Sequence, residues 1–164
     1  MTRIGLLSDT HGYLDERVFT HFDGCQEVWH AGDIGSVEVL QRLREFRPTR
    51  AVYGNMDAGD VRYTLSEIYR FRVEDVDVLL THIGGYPGHY NPRLISLFQK
   101  QKPDIFVCGH SHILKVQYDR MFSMLTLNPG AAGKQGWQTI QTLLRFVIDG
   151  SQVRDLEVIE LERK

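Results

Sequence analysis

The chain has 164 residues, of which 42% are hydrophobic and 24% are charged, a length and composition typical of one globular domain. Its net charge of −2 argues against a basic surface, so we expect no long nucleic acid and no membrane as partner. No apolar run reaches the roughly 18–20 residues of a membrane span, and the two distant cysteines suggest no disulfide framework, which favours a cytoplasmic protein.

The first third of the chain alternates short apolar runs with helical patterns. The predicted strands are residues 4–8, 27–31 and 50–53, and the predicted helices are residues 14–22 and a helix that follows Ser36. Ser36 is a typical N-cap, and Pro48 ends the apolar stripe behind it. The first strand is apolar throughout, which indicates that both of its faces are covered.

Later segments change from this pattern to one of mostly strands. We predict strands at residues 65–73, 77–81 and 104–108, with a helix at residues 92–102. After Ser111 the apolar period approaches two, which predicts antiparallel hairpins built from residues 114–118, 122–127, 139–148 and 152–161. Asp149-Gly150 is a favourable hairpin turn. Two packed sheets with helices outside them are the expected architecture.

Side chains that bind divalent cations follow five of these apolar runs. They are Asp9, His11, Asp33, Asn55, His82, His110 and His112. Each motif alone is more typical of a turn or a helix cap, but ligand sites in α/β sheets form beyond the carboxyl ends of strands. Seven ligands are more than one tetrahedral zinc ion can bind, and they suit two ions that share a carboxylate. Mixed oxygen and imidazole ligands favour Mn, Fe, Zn, Co or Ni over Mg or Ca.

These motifs resemble those of the calcineurin-like metallophosphoesterase family, and specifically its small bacterial and archaeal phosphodiesterase branch. The matching segments are Asp9-Thr10-His11, Gly32-Asp33, Gly54-Asn55-Met56-Asp57, Thr81-His82 and Gly109-His110-Ser111-His112. The resemblance implies a four-layer α/β/β/α sandwich of two mixed sheets flanked by helices. It also implies a single domain over residues 1–164 without a cap domain.

The resemblance further implies an assignment of ligands to two divalent metal ions. Asp9, His11 and His112 would hold the first ion, Asn55, His82 and His110 the second, and Asp33 would bridge them. Asp33, Asn55 and His82 are also assigned to catalysis, with a water or hydroxide shared by the metals as nucleophile. We expect manganese, with nickel, iron, zinc or cobalt as alternatives, and a small phosphodiester or nucleotide-like substrate. A homo-oligomer, either a dimer or a tetramer, is also expected.

Three residues near the ligands distinguish this chain or leave alternatives open. Met56 stands where many family members have a histidine that protonates the leaving group, and a thioether cannot donate a proton. We therefore expect phosphodiesters or activated esters to be preferred over alkyl monoesters. His89 is either a pocket residue and replacement acid or part of a surface turn, and the turn is favoured. Asp57 either orients His82 or a metal-bound water, or lies in an exposed turn.

Two further histidine- and asparagine-containing segments are expected to support the site. His30 is expected to pack beside Trp29 or to lie behind the ligands, and Asn128-Pro129-Gly130 to brace His110 and His112 through its backbone. The alternative function is a non-catalytic interaction scaffold of the same fold, such as the retromer subunit. Such scaffolds usually lack one or more of the histidines, whereas all seven positions are filled here, which favours an enzyme. A nuclease is a third alternative that the missing basic stripe disfavours.

Overall fold

The computed structural model describes residues 1–163, so the last residue of the predicted domain, Lys164, lies outside them. The strands are β1 (Thr2–Leu7), β2 (Glu27–His30), β3 (Thr49–Ala51), β4 (Ile68–Val73), β5 (Val76–Thr81), β6 (Ile105–Val107), β7 (Lys115–Asp119), β8 (Met124–Asn128), β9 (Ile140–Asp149) and β10 (Gln152–Glu162). The helices are α1 (Arg17–His21), α2 (Val37–Phe46), α3 (Gly59–Thr64) and α4 (Pro92–Lys100). None of these four helices combines the length and the apolar character that crossing a membrane requires.

The strands form two mixed sheets of five strands each. The first sheet has the order β10-β9-β1-β2-β3, and the second has the order β4-β5-β6-β8-β7. In the first sheet β1, β2 and β3 are parallel, and in the second β5, β6 and β8 are parallel. The remaining pairs are antiparallel. Strands β1, β2 and β3 therefore end at one edge of the first sheet, and β5 and β6 end at one edge of the second.

A central apolar core lies between the two sheets. Trp29 is fully buried in it, with its ring edge-on to Phe71 of the second sheet and Phe146 of the first, at centroid distances of 5.1 and 5.5 Å. Such perpendicular aromatic contacts add to the stabilisation from burial alone. Ile4 and Leu6 of β1 face this core while Leu7 faces away from it, so both faces of β1 are covered, as the sequence predicts.

Helices cover the outer face of each sheet. Val18 of α1 and Leu43 of α2 pack on the first sheet, and Leu94 and Phe98 of α4 pack on the second. Ser36 caps α2 by accepting a hydrogen bond from the backbone of Val39, as predicted. The layers thus run helix, sheet, sheet, helix, and the predicted four-layer sandwich is confirmed.

The predicted elements differ from the structure in four respects. The helix α3 was not predicted, because only Val61 of its six residues is buried and the segment has no apolar stripe. Strand β4 begins at Ile68 rather than at residue 65, and α1 is shorter than the predicted 14–22. The two predicted hairpins exist but lie in different sheets, β7–β8 in the second and β9–β10 in the first.

Candidate metal centre

Loops at five strand ends bring the predicted ligands together. They are Asp9 and His11 after β1, Asp33 after β2, Asn55 after β3, His82 after β5, and His110 and His112 after β6. Backbone hydrogen bonds join neighbouring loops: the N–H of Asp9 donates to the Gly32 carbonyl over 3.0 Å, and that of Gly109 to the His82 carbonyl over 2.9 Å. The loops of both sheets therefore surround one position at the edge of the sandwich.

One group of donor atoms consists of a carboxylate and two imidazoles. The candidate ligand atoms of Asp9, His11 and His112 lie within 4.8 Å of one another. The two Nε2 atoms of His11 and His112 are 3.4 Å apart, and His112 Nε2 is 3.2 Å from Asp9 Oδ1. Donor atoms bound at roughly 2.0–2.2 Å to one ion lie roughly 3.0–3.5 Å apart. This group has the separations that a single divalent cation requires.

A second group lies directly beside the first. It contains Asp33, His82 and His110, again with ligand atoms within 4.8 Å of one another. Asn55 adjoins it, with Oδ1 3.1 Å from His110 Nδ1. Asp33 Oδ2 is 3.0 Å from His82 Nε2 and 3.8 Å from His11 Nε2 of the first group. One carboxylate oxygen of Asp33 thus lies near ligand atoms of both groups.

Two buried polar atoms at the centre have no hydrogen-bond partner among the described residues. They are Asp9 Oδ1 and His82 Nε2, and leaving such atoms unpaired costs about 1–3 kcal/mol each. The Nδ1 of His82 lies 2.7 Å from the Ala31 carbonyl, which requires a proton on Nδ1. In the neutral imidazole Nε2 then carries a lone pair that points at Asp33. A cation between these acceptors satisfies them, so the residues present fit a metal ion.

The carboxylates and imidazoles also shift each other's protonation. Burial by itself raises the pKa of Asp9, but the nearby imidazoles of His11 and His112 and the charge of His82 outweigh it and lower this pKa well below its ordinary value. Burial lowers the pKa of His82, but Asp33 and Asp9 outweigh burial and raise it. A proton and a cation therefore compete for His82, and metal affinity should decrease as the pH falls.

The backbone at the centre adopts an uncommon conformation. Five of the seven ligands have positive φ angles in the left-handed region, between 48° and 74°: Asp9, His11, Asp33, His110 and His112. This region is uncommon for residues other than glycine, and residues held there cluster at functional sites.

Two glycines at the centre are required by close approach. A Cβ atom on Gly54 would lie 2.1 Å from Asp33 Oδ1, and a Cβ atom on Gly109 would lie 2.1 Å from Ser8 Oγ. Side chains at these positions would displace the Asp33 carboxylate or the loop that carries Asp9. Glycine is therefore required directly before Asn55 and His110, because a residue without a Cβ atom permits this close backbone approach.

The carboxylate of Asp57 braces the loops. It is buried and accepts hydrogen bonds from the backbone N–H groups of Ile34, Gly35 and Gly54, over 3.1, 2.9 and 2.8 Å. It thereby ties the loop after β2 to the loop after β3. The exposed-turn interpretation of Asp57 was wrong, because the residue is buried, and His82 is not among its hydrogen-bond partners. That Asp57 orients a metal-bound water stays a prediction.

Backbone and hydroxyl donors fix the orientation of the two central carboxylates. The hydroxyl of Ser8 donates to Asp9 Oδ2 over 2.6 Å, and the N–H of His110 donates to the same oxygen over 3.1 Å. The N–H of Met56 donates to Asp33 Oδ1 over 2.8 Å, while the Met56 side chain is 66% exposed. Sequence reasoning missed both functions, because neither a backbone donor nor an isolated serine leaves a recognisable pattern.

His30 lies behind the ligands, as the sequence suggests. It accepts a hydrogen bond on Nδ1 from the Gly32 N–H over 3.1 Å, so Nε2 carries the proton and donates to Thr10 Oγ1 over 3.0 Å. The Thr10 hydroxyl donates in turn to the Ile34 carbonyl over 2.8 Å. Complete burial lowers the pKa of His30 from 6.5 to about 4. The neutral imidazole thus joins the loops that carry Asp9 and Asp33.

The buried, neutral His30 predicts a loss of stability in mild acid. Unfolded chains bind a proton at this residue below pH 6.5, whereas the folded protein does not until about pH 4. The free energy of unfolding should therefore fall by about 2–3 kcal/mol from this group as the pH drops through that window. Urea unfolding of the metal-free protein at pH 7 and pH 4.5 measures it, with His30→Gln as reference. Parallel pH profiles for the two proteins would contradict the assignment.

Two amide side chains support the loop that carries His110 and His112. The Asn128 amide donates to the Gly109 carbonyl and to Ser111 Oγ, both over 3.1 Å. The predicted bracing by this segment therefore exists, but through the asparagine side chain rather than the backbone. Gln138 Nε2 lies 3.2 Å from His112 Nδ1, a contact that the sequence did not reveal.

His89 lies in the wall of a cleft beside the centre. This cleft is also lined by Tyr86, Ser111 and His110. The His89 ring is exposed and stacks on Tyr86 at a centroid distance of 4.8 Å. The favoured surface turn and the alternative of a pocket residue are therefore both partly right, while a role as replacement acid stays a prediction.

Comparisons with known proteins identify the relatives of this arrangement. The model of the calcineurin-like phosphoesterase superfamily domain matches residues 2–151. A probable metallophosphoesterase from Methanothermobacter thermautotrophicus is 32% identical over 165 residues, covering 95% of this chain and 91% of the relative. Among solved structures, an archaeal phosphodiesterase has a TM-score of 0.74 at 23% identity and covers 96% of this chain and 99% of its own. Vps29 from Entamoeba histolytica, complexed with zinc, has a TM-score of 0.73 at 17% identity, with 98% of both chains covered.

Proposed function

Because the chain belongs to the calcineurin-like phosphoesterase superfamily, we propose that it is a phosphodiesterase that works with two divalent metal ions. The observation that carries this proposal is the position of Asp33 Oδ2, 3.0 Å from His82 Nε2 and 3.8 Å from His11 Nε2. One carboxylate oxygen can therefore join two adjacent sets of ligands. The substrate class we propose is a small phosphodiester, including nucleotide-like ones.

The chain's own residues prepare the centre for an anionic substrate. Asp9, His11 and His112 would hold one ion, Asn55, His82 and His110 the other, and Asp33 both. When bound, two such cations supply Lewis-acid stabilisation of phosphoryl oxygens and lower the pKa of an attacking water. Two divalent cations outweigh the charges of Asp9 and Asp33, so the loaded centre attracts a phosphate group.

The identity of the metal follows from the donor set. Four imidazoles, two carboxylates and one amide oxygen favour borderline transition metals over Mg²⁺ or Ca²⁺. We propose manganese, with nickel, iron, zinc or cobalt as alternatives. The test is turnover of bis(p-nitrophenyl) phosphate by metal-free protein resupplied with each ion in turn. If Mg²⁺ were the only ion that restored turnover, the proposed metal class would be overturned. If no ion restored turnover, the proposed activity would be overturned.

Turnover is the measurement that separates an enzyme from a non-catalytic scaffold of the same fold. A Vps29 protein with this fold is complexed with zinc, so metal binding alone does not establish catalysis. In the present chain all seven ligand positions are filled and their side chains converge. This completeness favours the enzyme over the scaffold.

The absent proton donor at Met56 predicts substrate preference. The native protein should hydrolyse bis(p-nitrophenyl) phosphate at least about a hundredfold faster than an alkyl monoester such as propyl phosphate, which needs help from a general acid. Met56→His should raise alkyl monoester hydrolysis about tenfold or more and change aryl diester hydrolysis little. Met56→Ala is the matched control, because it removes the thioether without adding a donor. Equal rates of the native protein on the two substrates would refute this expectation.

A further inference from the structure

A cleft of about 200 Å³ opens on the side of the metal centre formed by β3 and β5. Asn55 and His82, two candidate ligands of the second ion, are among its lining residues. Tyr53, Arg62 and Arg93 line the same cleft. Any substituent of a phosphodiester bound at the centre that extends to this side therefore meets two guanidinium groups.

The two arginines differ in how their charges are balanced. Arg93 forms an ion pair with Glu67, another residue of the cleft, at 3.0 Å. Arg62 has no carboxylate within 4.0 Å of its guanidinium in the part of the chain that the structure describes. Its guanidinium lies over the ring of Tyr53, 4.5 Å from the centroid. The cleft consequently holds one uncompensated positive charge, on the guanidinium that packs over the Tyr53 ring.

We propose that Arg62 binds a second anionic group of the substrate, a phosphate or a carboxylate carried beside the phosphodiester that is cleaved. This inference rests on the proposed function and deepens it by naming the substrate class. A guanidinium presents a planar set of donors that matches the oxygens of phosphate and carboxylate in pairs. In a chain of net charge −2, an unpaired arginine in the cleft beside the centre selects for such a group.

The structure also separates this task from binding of the phosphodiester itself. Asn55 and His82, the candidate metal ligands, line the cleft from the loops after β3 and β5, whereas Arg62 lines it from α3 and packs over the Tyr53 ring. The metal ions would attract the phosphodiester that is cleaved, whereas Arg62 would contact the second anionic group attached to it. For substrates without a second anionic group, the KM should therefore not depend on Arg62.

The test compares p-nitrophenyl esters that differ in one anionic group. The ester of AMP has no phosphate besides the cleaved one, the ester of ADP has one more, and the phosphodiester of p-nitrophenol with glycolic acid supplies a carboxylate instead. With manganese-loaded protein, Arg62→Ala should raise the KM for the ADP ester about tenfold and that for the AMP ester less than about twofold. Arg62→Lys should lie between, because it keeps the charge but loses the paired donors.

Arg120→Ala is the matched control. Arg120 is an exposed arginine in the β7–β8 turn, at the edge of the second sheet opposite the metal centre. A loss on the glycolate ester as large as that on the ADP ester would identify any oxyacid as the ligand, and a loss confined to the ADP ester would identify phosphate. Equal effects of Arg62→Ala on the AMP and ADP esters, or no effect on either charged ester, would overturn the proposal.

A binding measurement keeps this test distinct from the test of catalysis. Calorimetric titration of ADP and of AMP into manganese-loaded protein needs no turnover. The native protein should bind ADP more tightly than AMP, and Arg62→Ala should remove that difference. If the native protein cleaves none of the esters, the proposed function fails, while an unchanged preference for ADP in Arg62→Ala would refute the role of Arg62.

Discussion

Asp33→Asn should lower manganese-dependent hydrolysis of bis(p-nitrophenyl) phosphate about a thousandfold or more, a loss of roughly 4 kcal/mol of transition-state stabilisation. The carboxylate oxygen Oδ2 that faces His82 and His11 becomes part of an uncharged amide. The hydrogen bond from the Met56 N–H to Oδ1 can persist, so the loop should keep its conformation. Metal content after dialysis, measured by mass spectrometry, should fall from two ions per chain to one or none.

Asp23→Asn provides the control for this substitution. Its carboxylate is 83% exposed and is paired with Arg47 at 3.5 Å. Asp23 precedes β2, whereas Asp33 follows it, so the two lie at opposite ends of this strand. The same chemical change should there leave metal content and turnover unaltered. Two bound ions and native turnover in Asp33→Asn would eliminate the bridging role and with it the proposed mechanism.

Asp57→Ala should destabilise the metal-free protein by about 3–5 kcal/mol. The substitution removes the acceptor of three backbone N–H groups, and each unsatisfied buried donor costs about 1–3 kcal/mol. Asp57→Asn keeps one acceptor oxygen and should cost less, about 1–2 kcal/mol. Urea unfolding followed by circular dichroism measures both values.

The control for this second substitution is Asp60→Ala in α3. Asp60 is exposed, and its side chain makes no hydrogen bond within residues 1–163, so the change should stay within about 0.5 kcal/mol. If Asp57→Ala were as stable as Asp60→Ala, the loops after β2 and β3 would be held by other contacts. The carboxylate of Asp57 would then be dispensable for the fold.

Much of the fold follows from patterns that are local in sequence. The apolar run of β1 and the capped stripe of α2 each predict an element without knowledge of its neighbours. Ligands at strand ends, such as Asp9 and His110, were predictable because parallel strands deliver their carboxyl ends to one edge. By contrast, α3 has a single buried residue, and its sequence carries too little periodicity to predict it.

What the sequence did not reveal depends on contacts between loops. The bonds that Asp57 accepts from Ile34 and Gly35, and the bond from His30 to Thr10, join segments about 20 residues apart. Such contacts arise from the exact path of each turn, which apolar periodicity does not encode. The same limit explains why the backbone partners of Asp57 were not predictable, although its proximity to the ligands was.

The left-handed turns at Asp9, His11, Asp33, His110 and His112 restrict how the metal preference of this protein can be redesigned. Asn, Asp and His are several-fold enriched among the residues that adopt positive φ, and glycine adopts it freely, whereas β-branched side chains do so only as outliers. A library of exchanged ligands at these five positions should therefore be limited to those four residue types. Threonine or valine at these positions would be disfavoured by the positive φ angle itself, whichever metal ion the library is meant to select.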